Sequence, residues 1–349
     1  MFVTKSPNRI RARLVAVVIG LVLVAAGCGS SDDGEPRSLK LLAHSSFAIS
    51  ESTLAAFTAE TGIGVQILDG GDAGAMLAQA ILTKDNPIAD VIFGIDNTFL
   101  SRAVDEEITD PYPSPGLAEL HEFTLLDPTN RFTPVDYGDV CLQYDKEALI
   151  NADTASLFTN PYFGGQLVVQ DPATSSPGLA FLLATIAAFP DDWQNYWATL
   201  RDEGVLVVPG WEEAYYNEFS AASDGDRPVV VSYGSSPAAE VVFAAEPIDE
   251  PATAIVTESC FRQVEFAGIL SGTEAGEEAG QLIDFMLSTR FQEDIPLNMF
   301  VFPARRDAVL PAVFAEHAVV AEQPLSIGPA VIAANRDDWI DEWTAIVLR

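Results

Sequence analysis

An α/β architecture of two lobes joined by crossover strands is what this sequence predicts, on three observations. Its 349 residues are enough for more than one core. Strand-like and helix-like segments alternate in two successive runs, the pattern of sheets flanked by helices. Two further strand-like stretches, residues 135–145 and 260–266, lie after each run and suit a hinge in which they sit side by side. Each lobe is therefore expected to be a mixed sheet covered by helices.

The first element is a leader. Lys5, Arg9, Arg11 and Arg13 precede an unbroken apolar segment over 14–26, the charged and apolar regions of an export signal, and that segment is short for a membrane span. Ala25-Ala26-Gly27-Cys28 then resembles a bacterial lipobox, although Ala25 stands where Leu is usual. On this reading residues 1–27 are a lipoprotein signal peptide and 28–37 a polar tether. Cys28 becomes a lipidated first residue, whose two acyl chains would meet the requirement for stable anchoring. Ordinary signal cleavage with a nearby free thiol is the alternative.

The first run places strands at 38–43, 65–68 and 89–94 and helices at 52–61, 76–83 and near 98–104, with Gly62 closing the first helix. Such βαβ repetition predicts parallel pairing. The second run places strands at 166–170, 205–208 and 229–232 and helices at 179–189 and 238–244. The last third reads as helices at 277–287, 308–317 and 329–346. With the hinge crossing between them, the lobes are expected to comprise 38–138 with 258–298, and 139–257 with 299–349.

Charge and cysteines narrow the function. A net charge of −33 excludes nucleic-acid binding by phosphate neutralisation. The acidity reads as a solvated shell and names no ligand. Cys141 and Cys260 form an even pair in an exported chain, so a disulfide is expected rather than a metal site. No Cys-x-x-Cys is present, and His44, His121 and His317 stand singly.

Thr174-Ser175-Ser176-Pro177-Gly178 and Gly234-Ser235-Ser236-Pro237-Ala238 share one construction, a strand exit that opens a helix with a Ser cap and Pro at the first helical position. Such ends present free N–H groups and hydroxyls to polar or phosphate groups, and they also serve as plain caps. Asp72, Trp211 and Tyr233 fall at strand ends, where open α/β sheets hold their ligands. A carboxylate with aromatic rings suits a flat cationic heteroaromatic molecule. Equally, Asp72 can cap the next helix and Trp211 can be packing.

The segments Ala89-Asp90-Val91-Ile92-Phe93-Gly94-Ile95-Asp96-Asn97, Val135-Asp136-Tyr137-Gly138, Gln170-Asp171-Pro172-Ala173-Thr174-Ser175-Ser176-Pro177-Gly178-Leu179, Gly210-Trp211-Glu212-Glu213-Ala214-Tyr215 and Ser232-Tyr233-Gly234-Ser235-Ser236-Pro237-Ala238 together resemble the periplasmic thiamine-binding proteins of ABC transporters. The resemblance covers essentially all of the chain after the leader. It implies a two-lobed type II periplasmic-binding-protein fold that holds thiamine or its phosphates in the inter-lobe cleft and passes them to an ABC permease. It implies no cofactor, metal or catalytic residue, a monomer, and a place in the periplasm or on the outer face of the membrane.

The resemblance carries ligand-binding roles onto Asp72, Ala73, Ser175, Ser176, Trp211, Tyr233, Gly234, Ser235, Ser236 and Pro237, and onto His44 and Phe300 as looser matches. The family often has Gly at the Ala73 position, Thr at Ser176, Tyr at His44 and Trp at Phe300. The last two departures thin the aromatic enclosure. A ferric-ion-binding protein of the same broad fold is the nearest rival, because Tyr215-Tyr216 resembles the adjacent tyrosines used there. On a helix, however, neighbours point about 100° apart. An enzyme acting on thiamine phosphates would need a nucleophile with a base or a metal site, and no G-x-S-x-G or spaced His pair occurs.

Overall fold

The computed structural model describes residues 37–349. The leader over 1–27, Cys28 and the tether through residue 36 lie outside the described residues.

The chain opens with β1 (Ser38–Ala43), α1 (Glu51–Thr61), β2 (Gly64–Asp69), α2 (Ala73–Leu82), β3 (Val91–Asp96), α3 (Leu100–Asp105) and the short β4 (Thr109–Asp110). Ser50 caps α1 by accepting the Thr53 N–H, and Gly62 ends it at φ 74°, a left-handed turn that suits glycine. β2, β1 and β3 pair in parallel, as βαβ units require. The β1–β3 face that carries Leu39, Leu41, Val91 and Phe93 packs with Phe57 of α1. Burial of each such side chain contributes about 1.5–3 kcal/mol.

β5 (Thr133–Asp145) leads to a second wing: β6 (Leu167–Gln170), α4 (Ser176–Ala188), α5 (Trp193–Asp202), β7 (Leu206–Val208), α6 (Trp211–Glu213), β8 (Val229–Tyr233) and α7 (Ser236–Phe243). β9 (Thr253–Leu270) returns, followed by α8 (Gly276–Met286), α9 (Thr289–Asn298), β10 (Phe302–Pro303), α10 (Ala312–His317) and α11 (Pro329–Val347). Here β6 pairs in parallel with β7 and β8. Every residue of α4 from Ser176 to Ile186 is buried, so its nearly uniform apolar sequence marks a core helix.

All of these strands belong to one sheet, β2-β1-β3-β9-β5-β8-β6-β7, with β4 on β9 and β10 on β5. Parallel pairing holds only in the wings. At the centre β9 runs antiparallel to both β3 and β5, and β5 antiparallel to β8. The reason is that β5 passes from the first wing to the second while β9 passes back beside it, between β5 and β3. The two stretches expected side by side at a hinge are these strands.

Their ladder breaks in mid-course between Val140↔Phe261 and Leu142↔Val256. Cys141 and Cys260 lie in that break, buried, with Cα atoms 4.2 Å apart and joined by the expected disulfide. α11 lies against both wings: Trp343 packs edge-on to Trp197 of α5, and the Arg336 guanidinium sits 4.5 Å over the ring of Phe99, beside α3. No helix among the described residues is long and apolar enough to cross a membrane.

Candidate functional site

The two wings face each other across a cavity of about 880 Å³. Its walls are built where parallel strands end. His44 follows β1, Asp72 follows β2, Trp211 follows β7, and Tyr233 ends β8. This is the crevice position that open α/β sheets use for ligands.

His44 takes its place because Gly94 makes room. A Cβ at Gly94 would lie 2.1 Å from His44 Cδ2, and the φ of 99° there also favours glycine. The imidazole packs on Phe93, with ring centroids 5.6 Å apart. Its Nε2 stands 3.6 Å from Glu265 Oε2 and makes no hydrogen bond.

Glu265 belongs to a row of acids that the sheet register creates. It is the Cα partner of Asp96 on β3 and of Asp136 on β5, so three carboxyls lie abreast on adjacent strands, all buried. Burial and the Glu265 charge hold Asp136 far above the usual carboxylate range. It is therefore protonated and able to donate to Glu265. Burial likewise raises Asp96 to about 6, against hydrogen bonds from the Thr98 hydroxyl and N–H at 2.5 and 2.6 Å.

Burial would raise Glu265 too, but His44, with Asp136 and Gln263, holds it below its ordinary value. Gln263 Nε2 donates to Glu265 Oε1 at 3.1 Å. Burial would lower His44, yet Glu265 above all, then Asp72 and Asp96, raises it past 6.5. The cleft floor is thus anionic, with one imidazole as its partner.

Asp72 caps α2, accepting the Ala73 N–H at 2.9 Å through Oδ1, while Oδ2 accepts the Trp211 N–H at 3.3 Å from the opposite wing. A Cβ at Gly210 would lie 3.0 Å from that same Oδ2, so the Pro209-Gly210 turn lets the two wings approach. Beside it, the Gly74 N–H donates to the Thr174 carbonyl at 3.0 Å. The wings therefore touch along one rim of the cavity. Ala73 lines the cavity next to Asp72.

Trp211 is half-buried. Its Nε1 donates to Ser232 Oγ at 3.0 Å, and Tyr215 stacks on it at 5.0 Å. Tyr233 meets it edge-on at 6.3 Å. Phe300 lines the cavity with φ 54°, a conformation that bulky residues rarely adopt, and its carbonyl accepts the Ser235 hydroxyl.

The two Ser-Ser-Pro segments open α4 and α7 as expected, but one residue earlier. Ser175 and Ser235 are the caps, and Pro177 and Pro237 stand second in their helices because Ser176 and Ser236 are already helical. Ser176 and Ser236 line the cavity. Ser175 is fully buried behind it, its hydroxyl unbonded and turned toward Asp72. Gly234, Ser235 and Pro237 lie off the cavity wall: Gly234 bonds through its backbone to Asp139 and Val319, where a Cβ would come within 2.4 Å of the Val319 carbonyl.

Residue-type reasoning passes over Glu265, Phe47 and the placement of the tyrosine pair. Tyr215 and Tyr216 both line the cavity from a π-helical turn at Ala214–Glu218, with ring centroids 5.3 Å apart, Tyr215 buried and Tyr216 exposed. For Glu265 a signal exists. An acid between Val264 and Phe266 in a central strand is a charge that the fold must bury, and buried charges mark sites.

Comparison with known proteins agrees with this geometry. The family model described as bacterial extracellular solute-binding protein matches residues 86–321. The thiamine-binding periplasmic protein of Escherichia coli K12 is 31% identical over 303 residues, covering 84% of this chain and 87% of that protein. A solved periplasmic thiamin binding protein superposes with a TM-score of 0.78 at 27% identity, covering 89% of this chain and 96% of that one. Iron-bound HitA from Pseudomonas aeruginosa shares the fold, with a TM-score of 0.71 at 18% identity over 88% of this chain and 99% of that one. With a family match across about two thirds of its length, and a cleft built from strand ends of two wings, this chain belongs to the bacterial extracellular solute-binding protein family.

Proposed function

We propose that the chain captures thiamine or a thiamine phosphate in this cleft and delivers it to an ABC importer. The observation that carries the reading is the pairing of an aromatic wall, Trp211, Tyr233 and Phe300, with an anionic floor at Glu265 and Asp72. Rings attract a flat heteroaromatic, and carboxylates attract its fixed positive charge. The relatives' names, thiamine-binding periplasmic proteins, support the same ligand. Ser176 and Ser236, at two helix N-termini, supply hydroxyls and dipoles for the hydroxyethyl or phosphate end.

In this reading residues 38–138 with 258–298 form one lobe and 139–257 with 299–349 the other, closing on the ligand by the rim contacts of Asp72 and Gly74. Cys28 carries the lipid that keeps the protein at the membrane. Titration calorimetry of ligand-free protein with thiamine, its monophosphate and its diphosphate tests the function. Saturable heat with at least one of them is expected. Folded protein that takes up none of the three refutes it.

The tyrosine pair at the cavity favours a second reading, ferric iron. Added ferric iron would then produce a visible tyrosinate charge-transfer band. None is expected, because burial holds the Tyr215 phenol well above its usual range and so in its protonated form.

A further inference from the structure

We propose that Glu265 receives the cationic ring of the ligand, and that His44 occupies this carboxylate in the empty cleft and gives up its proton when the ligand enters. The proposal rests on the thiamine reading and adds a proton to it.

Glu265 is singled out by what its neighbours do. Asp136 is buried without a donor of its own and faces Glu265 across the ladder, which makes it the protonated partner. Asp96 turns one oxygen to Thr98 and lies away from the cavity. Asp72 has one oxygen on Ala73 and the other on Trp211. Glu265 reaches the cavity with Oε1 held by Gln263 and Oε2 3.6 Å from the imidazole, too long for a hydrogen bond.

Two cations cannot share one buried carboxylate without strong repulsion, and one of them must neutralise. A thiazolium nitrogen is quaternary and holds no proton to lose. The imidazole does: its Nε2 is buried against Glu265, but the ring lines the cleft, so the proton leaves through the cleft to water. The charged groups acting on His44 are Glu265 from β9, Asp72 at the start of α2 and Asp96 at the end of β3, with no lysine or arginine among them. Tyr233 of β8 faces Glu265 and Asp72 from the second wing.

The carboxylates raise His44 above 6.5, so protonated His44 competes with the ligand at and below neutral pH. The apparent Kd rises as pH falls through the raised His44 value, by up to about tenfold per unit. Asp96 titrates at about 6, and its protonation weakens a cation in the same direction. A pH profile must therefore be read beside a His44 variant.

Calorimetry in two buffers of unlike ionisation heat, at one pH near 7, reads the proton directly. Wild-type protein is expected to release part of a proton on binding thiamine, and His44→Asn to release none. Glu265→Gln is expected to bind thiamine roughly tenfold or more weakly. The same variant should bind an analogue with an uncharged ring in place of the thiazolium about as well as wild type does. Wild type that binds thiamine with no proton release overturns the proposal, as do equal losses for the two ligands in Glu265→Gln. A folded wild type that binds no thiamine refutes the functional reading itself.

Discussion

Trp211 has one ring face stacked on Tyr215 and an edge tied to Ser232, which leaves its other side to the cleft. On the proposed function, removing it deletes a ligand contact and little of the core. A cation–π contact contributes about 0.5–2 kcal/mol, and the buried ring adds to that. Trp211→Ala is expected to weaken thiamine by about tenfold or more, since about 1.4 kcal/mol is one decade. It should also abolish the part of the fluorescence quench that this indole supplies. A folded variant that binds as tightly as its parent would make Trp211 a packing residue.

The two serines of α4 divide differently. Ser176 borders the cavity with its hydroxyl buried toward Asp96, and Ser175 lies buried beside Asp72. Ser176→Ala should weaken thiamine monophosphate more than thiamine, because hydrogen bonds to a charged acceptor are the stronger ones. Ser175→Ala should affect both ligands alike. Positions such as Trp211 and Tyr233 are legible in the sequence because strand ends can be read from the chain. Glu265 is harder to single out, because its role depends on lying beside Asp96 and Asp136, and that register joins residues 96, 136 and 265.

The segments that sequence periodicity recovers are those whose burial is one-sided or complete, such as α1, α4 and the wing strands. α9 escapes it because Pro296 interrupts the pattern, yet the helix forms with Pro near its C-terminal end and with Gln292 tied to Val135, Met286 and Arg305. α5 is absent from the expected elements although Trp193, Tyr196, Trp197 and Leu200 recur at helical spacing. α10 starts at Ala312, four residues inside the expected segment, after Pro311. The Cys141–Cys260 bridge closes a sequence separation of 119 residues across the mid-course break in the β5–β9 ladder. Replacing both cysteines by Ser should lower the unfolding free energy by about 2–5 kcal/mol, read by urea denaturation. An unchanged midpoint would mean that the ladder on either side of the break suffices.

At the scale of the molecule, acidity sets stability and affinity against each other. Asp96 has a raised folded-state value of about 6, and His44 is raised as well, so the folded state binds more protons than the unfolded chain in mildly acid solution. Stability of the ligand-free protein therefore increases as pH falls from neutrality toward 5. Protonation of Glu265, held below its ordinary value by its partners, acts in the opposite sense and takes effect only below about 4.5. The net charge of −33 acts in the same direction, because protonation relieves self-repulsion. The melting temperature is expected to be higher at about pH 5.5 than at pH 8, while thiamine binds more weakly there. A melting temperature that falls steadily on acidification would contradict the assignment of the buried acids. Export chemistry is tested separately: Cys28→Ser should release the protein from the membrane without changing its affinity for thiamine.

α11 leaves one more constraint. Its Trp343 is seated on α5 and its Arg336 over Phe99 near α3, so one rigid rod of 19 residues is fastened to both sides of the cleft. When the wings part, the rod cannot follow both. Both contacts are buried, but parting at Phe99 returns a desolvated guanidinium to water whereas parting at Trp343 exposes two indoles, so the contact that yields is the one at Phe99. Amides of α3 and of the first turns of α11 should then exchange with solvent deuterium faster in the empty protein than in the loaded one. Those around Trp343 should exchange at one rate in both, which makes α11 a brake on opening, anchored to the second wing and released from the first.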